Sequence, residues 1–249
     1  TRGVNLDKVA KAATRACFSN AGQLCISIER IYVDSDIAEE FTAKFGDAVR
    51  KMTLGKAYDF SADMGSLISE GQLKTVSDHV EDAKAKGARV IAGGKARLDI
   101  GPLFYEPTVL TDVTPEMECA SNETFGPLVS IYPVSGVEEA IEKANDTEYG
   151  LNASVWAASD AEGERIAARL RSGTVNVNEG YAFAWGSLSA PMGGMGASGM
   201  GRRHGPEGLL KYTEAQTIAT ARVLNLDPPF GLPPALWQKS LLPVVRAVM

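Results

Sequence analysis

Cys25 is the residue whose chemistry this sequence makes easiest to predict, because the pattern changes on either side of it. Residues 5–17 carry apolar side chains at helical spacing, residues 28–33 alternate as a β-strand does, and the glycine-bearing run between them predicts a turn. A thiolate is a strong nucleophile, so a cysteine held in a turn between rigid elements can do covalent chemistry. The alternative is a buried apolar residue, as most free cysteines are. Cys17, on the apolar face of its predicted helix, and Cys119, in a predicted polar loop, are both expected to be structural.

The residues around Cys25 form a recognisable motif. They resemble the nucleophile motif of the aldehyde dehydrogenase superfamily, here in the form Asn20-x-Gly22-Gln23-x-Cys25 followed by Arg30 and Val33. The resemblance implies that the Cys25 thiolate adds to an aldehyde, that the thiohemiacetal loses hydride to NAD or NADP, and that water releases an acid from the thioester. It also implies a substrate pocket beside the nucleophile, formed by Gln23, Leu24 and Ile26.

A second motif, Asn-Glu-Thr-Phe-Gly-Pro at residues 122–127, precedes a predicted strand. It resembles the superfamily segment whose glutamate accepts hydrogen bonds from the nicotinamide ribose. The resemblance implies that Glu123 binds the cofactor, since an ionised carboxylate can accept from both ribose hydroxyls, and that Phe125 lies near the nicotinamide. The alternative for Glu123 is a solvated acid in a loop, which is the commonest environment of a glutamate.

A glycine-rich stretch from residue 179 to residue 205 has no regular spacing, which predicts a long functional loop. Residues 194–199 fit the string Gly-x-Gly-x-x-Gly, but that motif binds dinucleotides only between a strand and a helix, so we reject this interpretation. The stretch instead resembles the superfamily's terminal glycine motif, with Met192 replacing the usual phenylalanine and Gly196 the usual lysine. Further pocket residues are expected here, namely Tyr181, Phe183, Trp185, Ser187 and Ser189.

The glycine and arginine pattern of residues 193–205, with the proline-rich tail, is similar to that of succinic semialdehyde dehydrogenases found among actinobacteria. This resemblance implies succinic semialdehyde as the substrate. Ser19 stands where well-studied enzymes of that kind have an arginine for the substrate carboxylate, and Ser27 where some have a redox-active cysteine. An apolar or aromatic aldehyde therefore stays open as the alternative substrate.

Several parts of the superfamily's machinery do not occur in this sequence. The motif Glu-Leu-Gly-Gly-Lys, whose glutamate activates the hydrolytic water, is missing, as are the oxyanion-hole amide side chain and the cofactor domain. We therefore expect the C-terminal catalytic half of a longer polypeptide that binds NAD or NADP mainly through its N-terminal half and forms a homo-oligomer. The 249 residues alone are expected to show no dehydrogenase turnover, since losing an oxyanion donor costs about a hundredfold or more in rate.

Two other functions stay open at this level. An acyl-transferring relative would pass its thioester to a thiol such as coenzyme A. A non-catalytic structural or assembly module would use its tail to pair with a partner chain. A cysteine hydrolase is disfavoured, because its thiol needs an imidazole partner, whereas His79, expected to be solvated on a helix, and His204 come without a hydrolase signature.

Composition argues against several classes of partner. The net charge of −6 and the pI of about 5.1 disfavour nucleic acid, which needs a basic surface. Three cysteines and two histidines show no metal-ligand spacing, so no metal is expected, and unpaired cysteines suit a reducing compartment such as the cytoplasm. No apolar run is long enough to span a bilayer, so no membrane partner is expected.

Helices alternating with short apolar strands indicate an α/β fold: an open, mostly parallel, twisted sheet with helices on both faces. The expected N-caps include Asn5, Ser35 or Asp36, Ser69, Ser135 and Ser159, with Gly87 and Gly173 as left-handed helix ends. Residues 1–222 are expected to form the catalytic domain and residues 223–249 an extended, proline-rich C-terminal arm that ends in an amphipathic segment. The predicted helices are 5–17, 37–52, 73–86, 137–144 and 161–170, and the predicted strands are 28–33, 88–92, 105–113, 128–134, 153–156 and 174–177.

Overall fold

The computed structural model describes residues 1–57, 59–220, 222 and 227–248. The chain forms two compact units, Thr1–Lys211 and Tyr212–Met249. The boundary predicted after residue 222 involves residues 223–226, which lie outside the described ranges, so the division into 1–222 and 223–249 stays a prediction. Within those ranges, no helix is both long enough and apolar enough to cross a membrane.

The strands of the first unit form two sheets in the described part of the chain. The larger has the order β1-β4-β3-β2, in which the β1–β4 and β3–β4 pairs are parallel and the β2–β3 pair is antiparallel. The smaller is the parallel pair β5–β6. The predicted α/β fold with a mostly parallel sheet is confirmed, although the strands are divided between two sheets. The strands are β1 Arg30–Asp34, β2 Arg89–Ala92, β3 Thr108–Thr111, β4 Leu128–Val134, β5 Asn152–Val155 and β6 Thr174–Val177.

Helices follow the strands as the apolar spacing predicts. Each of the five predicted helices is present, with ends shifted by up to a turn, and shorter helices occur in the connecting segments. The helices of the first unit are α1 Leu6–Phe18, α2 Ser35–Arg50, α3 Glu70–Ala85, α4 Glu118–Ser121, α5 Val137–Asn145, α6 Asp160–Ala167, α7 Ala182–Gly186 and α8 Gly205–Leu210. In the second unit, α9 spans Pro234–Val248 and includes the predicted amphipathic segment.

Side-chain caps fix several helix starts. Asn5, Ser69 and Ser159 accept hydrogen bonds from backbone N–H groups in the first turns of α1, α3 and α6, as predicted. The predictions for the other two caps were wrong. Asp34, rather than Ser35 or Asp36, caps α2, because its carboxylate reaches the N–H of Asp36. Gly136, rather than Ser135, precedes α5, and the Ser135 N–H donates instead to the Glu139 carboxylate.

The two predicted left-handed glycines differ. Gly87 has a φ of 102° after α3, as predicted. Gly173 does not have a positive φ, and that prediction was wrong. A glycine is needed there for another reason, since a Cβ at Gly173 would overlap the carbonyl oxygen of Gly193. This contact brings the glycine-rich stretch against the start of β6.

Helices cover both faces of the larger sheet. α2 contacts all four of its strands, and Phe45 of α2 stacks on Phe18 of α1. α5 contacts β1 and β4, and the Tyr32 hydroxyl donates to the carbonyl oxygen of Lys143. Neighbouring residues of a strand point to opposite faces, and Val33 belongs to the same buried cluster as the two phenylalanines. α2 and α5 therefore lie on opposite faces.

Candidate active site

Cys25 lies in a tight turn that links α1 to β1. Ser19–Gly22 forms a 3₁₀ turn in which Asn20 and Ala21 both have a φ of 54°. The Asn20 side-chain amide donates to the carbonyl oxygen of Gln23, and the Gln23 N–H donates back to the carbonyl oxygen of Asn20. These two bonds close the turn, and the Cys25 thiol that follows is exposed. An exposed thiol on a fixed backbone is accessible to a substrate.

The three predicted pocket residues beside the nucleophile differ in their surroundings. Leu24 and Cys25 line a cavity of about 530 Å³. Gln23 does not line it, because its amide accepts from the N–H of Ile68 at 2.9 Å and donates towards the carbonyl oxygen of Ser66. Ile26 does not line it either, being 3% exposed in the core. Gln23 and Ile26 therefore anchor the turn.

The cavity joins the two predicted motifs. Its walls come from α1, β1, α5 and β5, and most of them are apolar. Cys25 and Glu123 both line it, although they lie far apart in the sequence. The Glu123 side chain is exposed. The structure thus brings the predicted nucleophile and the predicted ribose ligand to one opening.

Cys17 and Cys119 are both buried. Cys17 lies on α1 as predicted, whereas Cys119 lies in α4 rather than in the predicted polar loop. Burial raises the pKa of the Cys17 thiol far above its usual range, and the nearby Glu29 carboxylate adds to the rise. Burial likewise raises the pKa of the Cys119 thiol, although a hydrogen bond with Ser130 opposes the rise. Both thiols are therefore held in the neutral, unreactive form.

This difference predicts selective alkylation. At pH 8, iodoacetamide should label Cys25 more than about tenfold faster than Cys17 or Cys119, because the Cys25 thiol is exposed whereas burial shields the other two thiols and raises their pKa values, which lowers their thiolate fractions. Peptide mass spectrometry over a time course measures the three rates, and urea, which exposes all three thiols, supplies the control. Equal rates in the folded protein would make Cys25 an inert thiol and would favour the assembly module.

Glu123 belongs to a loop that side chains from elsewhere hold in place. The Glu29 carboxylate accepts from the backbone N–H groups of Thr124 and Phe125, both at 2.9 Å. The Gln72 side-chain amide donates to the carbonyl oxygens of the same two residues, at 2.7 and 2.9 Å. These contacts fix the backbone directly beside Glu123.

Two further features of this loop differ from what the sequence suggests. His79, expected to be solvated, has its Nδ1 3.0 Å from the hydroxyl of the buried Thr124, so that expectation was wrong. Phe125 has a φ of 50°, in the left-handed region that bulky residues rarely adopt. α3, which carries His79, thus braces the loop.

Sequence reasoning missed Glu29, although a signal was present. It is a carboxylate next to Ile28 at the start of an apolar strand, where an unpaired charge would be costly. Burial raises the pKa of the Glu29 carboxyl, and the Glu123 carboxylate adds to the rise, while the two amide donors and Arg30 oppose it. An acid at such a position needs a polar partner inside the fold.

The close approach of two glycines brings the loop of residues 122–127 against the turn of residues 19–25, here called the nucleophile turn. Gly22 has a φ of 70°, and a Cβ on it would overlap the carbonyl oxygen of Gly126. Only a glycine satisfies both conditions. The backbone after Glu123 and the backbone before Cys25 are therefore in direct contact.

The pocket residues predicted in the glycine-rich stretch lie in and around α7, and none of the five lines the cavity of Cys25. Phe183 and Trp185 are exposed, and the Arg203 guanidinium lies 4.8 Å from the centre of the Trp185 ring. This contact has the geometry of a cation–π pair. A role in substrate binding for Tyr181, Phe183, Trp185, Ser187 and Ser189 stays a prediction.

Comparison with known proteins decides the family. The sequence profile described as "Aldehyde dehydrogenase family" matches residues 1–218. The chain belongs to the aldehyde dehydrogenase family.

This aldehyde dehydrogenase chain is 87% identical over 249 residues to a protein of Mycobacterium ulcerans whose provisional name is succinate-semialdehyde dehydrogenase [NADP(+)] 2. It is 75% identical over 248 residues to a protein of Mycolicibacterium smegmatis with a similar provisional name. Both matches cover 100% of the chain but 48% of the relative, so the chain spans about half the length of these curated relatives.

Solved structures confirm the fold of this aldehyde dehydrogenase chain. An aldehyde dehydrogenase of Mycobacterium tuberculosis, complexed with NAD+, superposes with a TM-score of 0.81 at 34% identity, covering 86% of this chain and 44% of that one. A betaine aldehyde dehydrogenase of Staphylococcus aureus, also in complex with NAD+, gives a TM-score of 0.80 at 34% identity, covering 85% of this chain and 42% of that one.

Proposed function

We propose that this chain carries the nucleophile and part of the cofactor site of an NADP-dependent dehydrogenase that oxidises succinic semialdehyde to its acid. The observation that carries the proposal is that the exposed thiol of Cys25 and the exposed carboxylate of Glu123 line one cavity. A thiol and a ribose-binding carboxylate at one opening are what a reaction between an aldehyde and a bound nicotinamide requires.

In this mechanism the Cys25 sulfur attacks the aldehyde carbon, and the new alkoxide oxygen accepts from the backbone N–H of Cys25. Hydride leaves that carbon as the carbonyl re-forms, which converts the thiohemiacetal into a thioester. Bound NADP supplies the hydride acceptor. Water, which loses its proton to a base, then attacks the thioester, and the acid is released as the Cys25 sulfur leaves as a thiolate. The base that activates this water is expected in the amino-terminal half of a full-length enzyme.

The residues present fit the cofactor. An exposed carboxylate such as that of Glu123 can accept from both hydroxyls of a ribose. The loop behind it is held by Glu29 and Gln72, so the carboxylate is presented on a fixed backbone. Phe125, in the same loop, is half-buried and is proposed to lie against the nicotinamide.

The substrate part of the proposal is supported by the names of the mycobacterial relatives, which the chain matches over its whole length. A substrate with a carboxylate needs a fixed cation. Ser19 does not supply one, and Arg203, whose guanidinium lies over the Trp185 ring, does not line the cavity of Cys25. We propose that an arginine of the amino-terminal half binds the substrate's acid end, with Ser187 and Ser189 as further ligands. A higher kcat/KM for a benzaldehyde than for succinic semialdehyde would instead support the aromatic alternative.

Tests of activity need a polypeptide of the relatives' length. We define the full-length fusion as the amino-terminal half of the M. ulcerans relative followed by this chain, which the 87% identity makes compatible. Its NADP-dependent oxidation of succinic semialdehyde, absent from the chain alone, is the direct test of the proposed function. No NADPH formation by a folded fusion, with any aldehyde of the tested series, would contradict it.

Glu123→Gln in the full-length fusion should raise the KM for NADP about tenfold, because the neutral amide offers one acceptor oxygen in place of a charged pair. The KM for the aldehyde should change less than about twofold, since Glu123 is proposed to bind the ribose only. Steady-state kinetics with each substrate varied in turn measures both. Glu164→Gln, an exposed glutamate of α6, is the matched control. An unchanged KM for NADP would remove Glu123 from the cofactor site.

A further inference from the structure

The backbone of Thr124 and Phe125 is held by two side chains that come from distant parts of the chain. Glu29 accepts from both N–H groups and Gln72 donates to both carbonyl oxygens, with all four distances between 2.7 and 2.9 Å. Backbone polar groups away from water need partners of this kind. The shape of this loop therefore depends on the two side chains.

The conformation that they hold is an unfavourable one. Phe125 has a φ of 50°, and a bulky residue stays in the left-handed region only where its surroundings impose it. The contact between Gly22 and Gly126 limits the loop from one side, and the carboxylate of Glu29 holds the two peptide N–H groups that precede Gly126. Without these bonds the loop would relax towards commoner backbone angles.

We infer that Glu29 is a positioning residue for the cofactor, because its carboxylate fixes the loop that presents Glu123 to the cavity. The inference rests on the proposed function, in which Glu123 binds the ribose. Glu29 lies shortly after Cys25 in the sequence and lines the same cavity. One short segment thus carries the nucleophile and holds the loop of residues 122–127, here called the cofactor loop, at a set distance from it.

The carboxylate suits this task better than an amide. Its two oxygens each accept from one backbone N–H, and hydrogen bonds to an ionised acceptor are shorter and stronger than neutral ones. A glutamine keeps the size of the side chain but offers one oxygen and places an NH₂ group against the other N–H. Glu29→Gln therefore disturbs the loop with little change in packed volume.

The test is a double-mutant cycle in the full-length fusion with Glu29→Gln, Glu123→Gln and their combination. Glu29→Gln should raise the KM for NADP about tenfold through the loss of one charge-assisted bond. The KM for the aldehyde and the rate of Cys25 alkylation should change less than about twofold, a split that a general loss of structure would not give. In the Glu123→Gln background, Glu29→Gln should add less than about threefold, because coupled residues are not additive.

The outcomes separate the two ideas. If Glu123→Gln raises the KM for NADP while Glu29→Gln leaves it unchanged, the inference about Glu29 is overturned and the proposed function stands. The inference about Glu29 is also overturned if the effects of the two substitutions on the KM for NADP multiply fully in the double variant. The same holds if Glu29→Gln changes every kinetic constant and the Cys25 alkylation rate to an equal extent. If Glu123→Gln leaves the KM for NADP unchanged, the proposed cofactor site fails first. Should Glu29→Gln not fold, Glu29→Asp, which keeps the charge on a shorter side chain, takes its place in the cycle with the same deciding outcomes.

Discussion

Cys25→Ala is expected to lower the rate of aldehyde oxidation by the full-length fusion by more than about a thousandfold, because removing the attacking nucleophile removes the covalent route. The Cys25 side chain is exposed, so its loss should leave folding intact, and the melting temperature should change by less than about 2 °C. NADPH absorbance and a thermal melt on the same preparation measure both quantities. The separation of a large kinetic effect from a small stability effect marks a chemical role.

Cys119→Ala is the matched control for this prediction. Cys119 is buried beside Ser130, so its truncation should lower the free energy of unfolding by about 1 to 2 kcal/mol. Its thiol is proposed to take no part in the chemistry, and kcat should stay within about threefold of the unmutated fusion. A Cys25→Ala variant that keeps more than a tenth of the activity would contradict the role of Cys25.

Gly22→Ala should lower kcat by about a hundredfold, which is the scale expected when reacting groups are displaced by about 1 Å. The added methyl group would overlap the carbonyl oxygen of Gly126, and the φ of 70° is unfavourable for alanine. The nucleophile turn and the cofactor loop must therefore separate. Steady-state kinetics and the Cys25 alkylation rate together measure the effect, since the thiol should stay reactive while turnover falls.

Gly65→Ala provides the comparison, because a Cβ there has no neighbour within 4 Å and the backbone is not left-handed. It lies next to Ser66, whose carbonyl oxygen accepts from the Gln23 amide, so it samples the same region of the fold. Its kcat should match that of the unmutated fusion within about twofold. If Gly22→Ala behaves like Gly65→Ala, the contact between the two glycines has no part in aligning the site.

The elements that the sequence predicted well are those with local causes. α1 and α3 follow from apolar spacing and from the caps Asn5 and Ser69, whose bonds lie within the first turn. β4 follows from a largely apolar run, and its first four residues are buried on both faces. The motif around Cys25 likewise predicted an exposed thiol between a helix and a strand, because the turn that holds it is closed by neighbouring residues.

The features that the sequence did not predict depend on contacts between residues that are distant in the chain. The bonds from Thr124 and Phe125 to Glu29 join residues 95 and 96 positions apart, and those from Gln72 cross 52 and 53 positions. No local pattern reports such pairs. The error at His79 has the same origin, because a histidine among acidic neighbours on a helix suggests solvent until the facing loop is known. The local sequence predicts a helix end at Gly173, whereas the residue that requires a glycine there, Gly193, lies elsewhere in the chain.

Trapping of the covalent intermediate tests the central claim most directly. The full-length fusion is mixed with succinic semialdehyde and NADP, quenched in acid during the first turnover, digested and analysed by mass spectrometry, with Cys25→Ala treated in parallel. We predict a succinyl thioester on the peptide that contains Cys25, formed only when aldehyde and NADP are both present. First-turnover product with an unmodified Cys25 peptide at every time point, or an acyl group on Cys17 or Cys119 instead, would contradict Cys25 as the nucleophile.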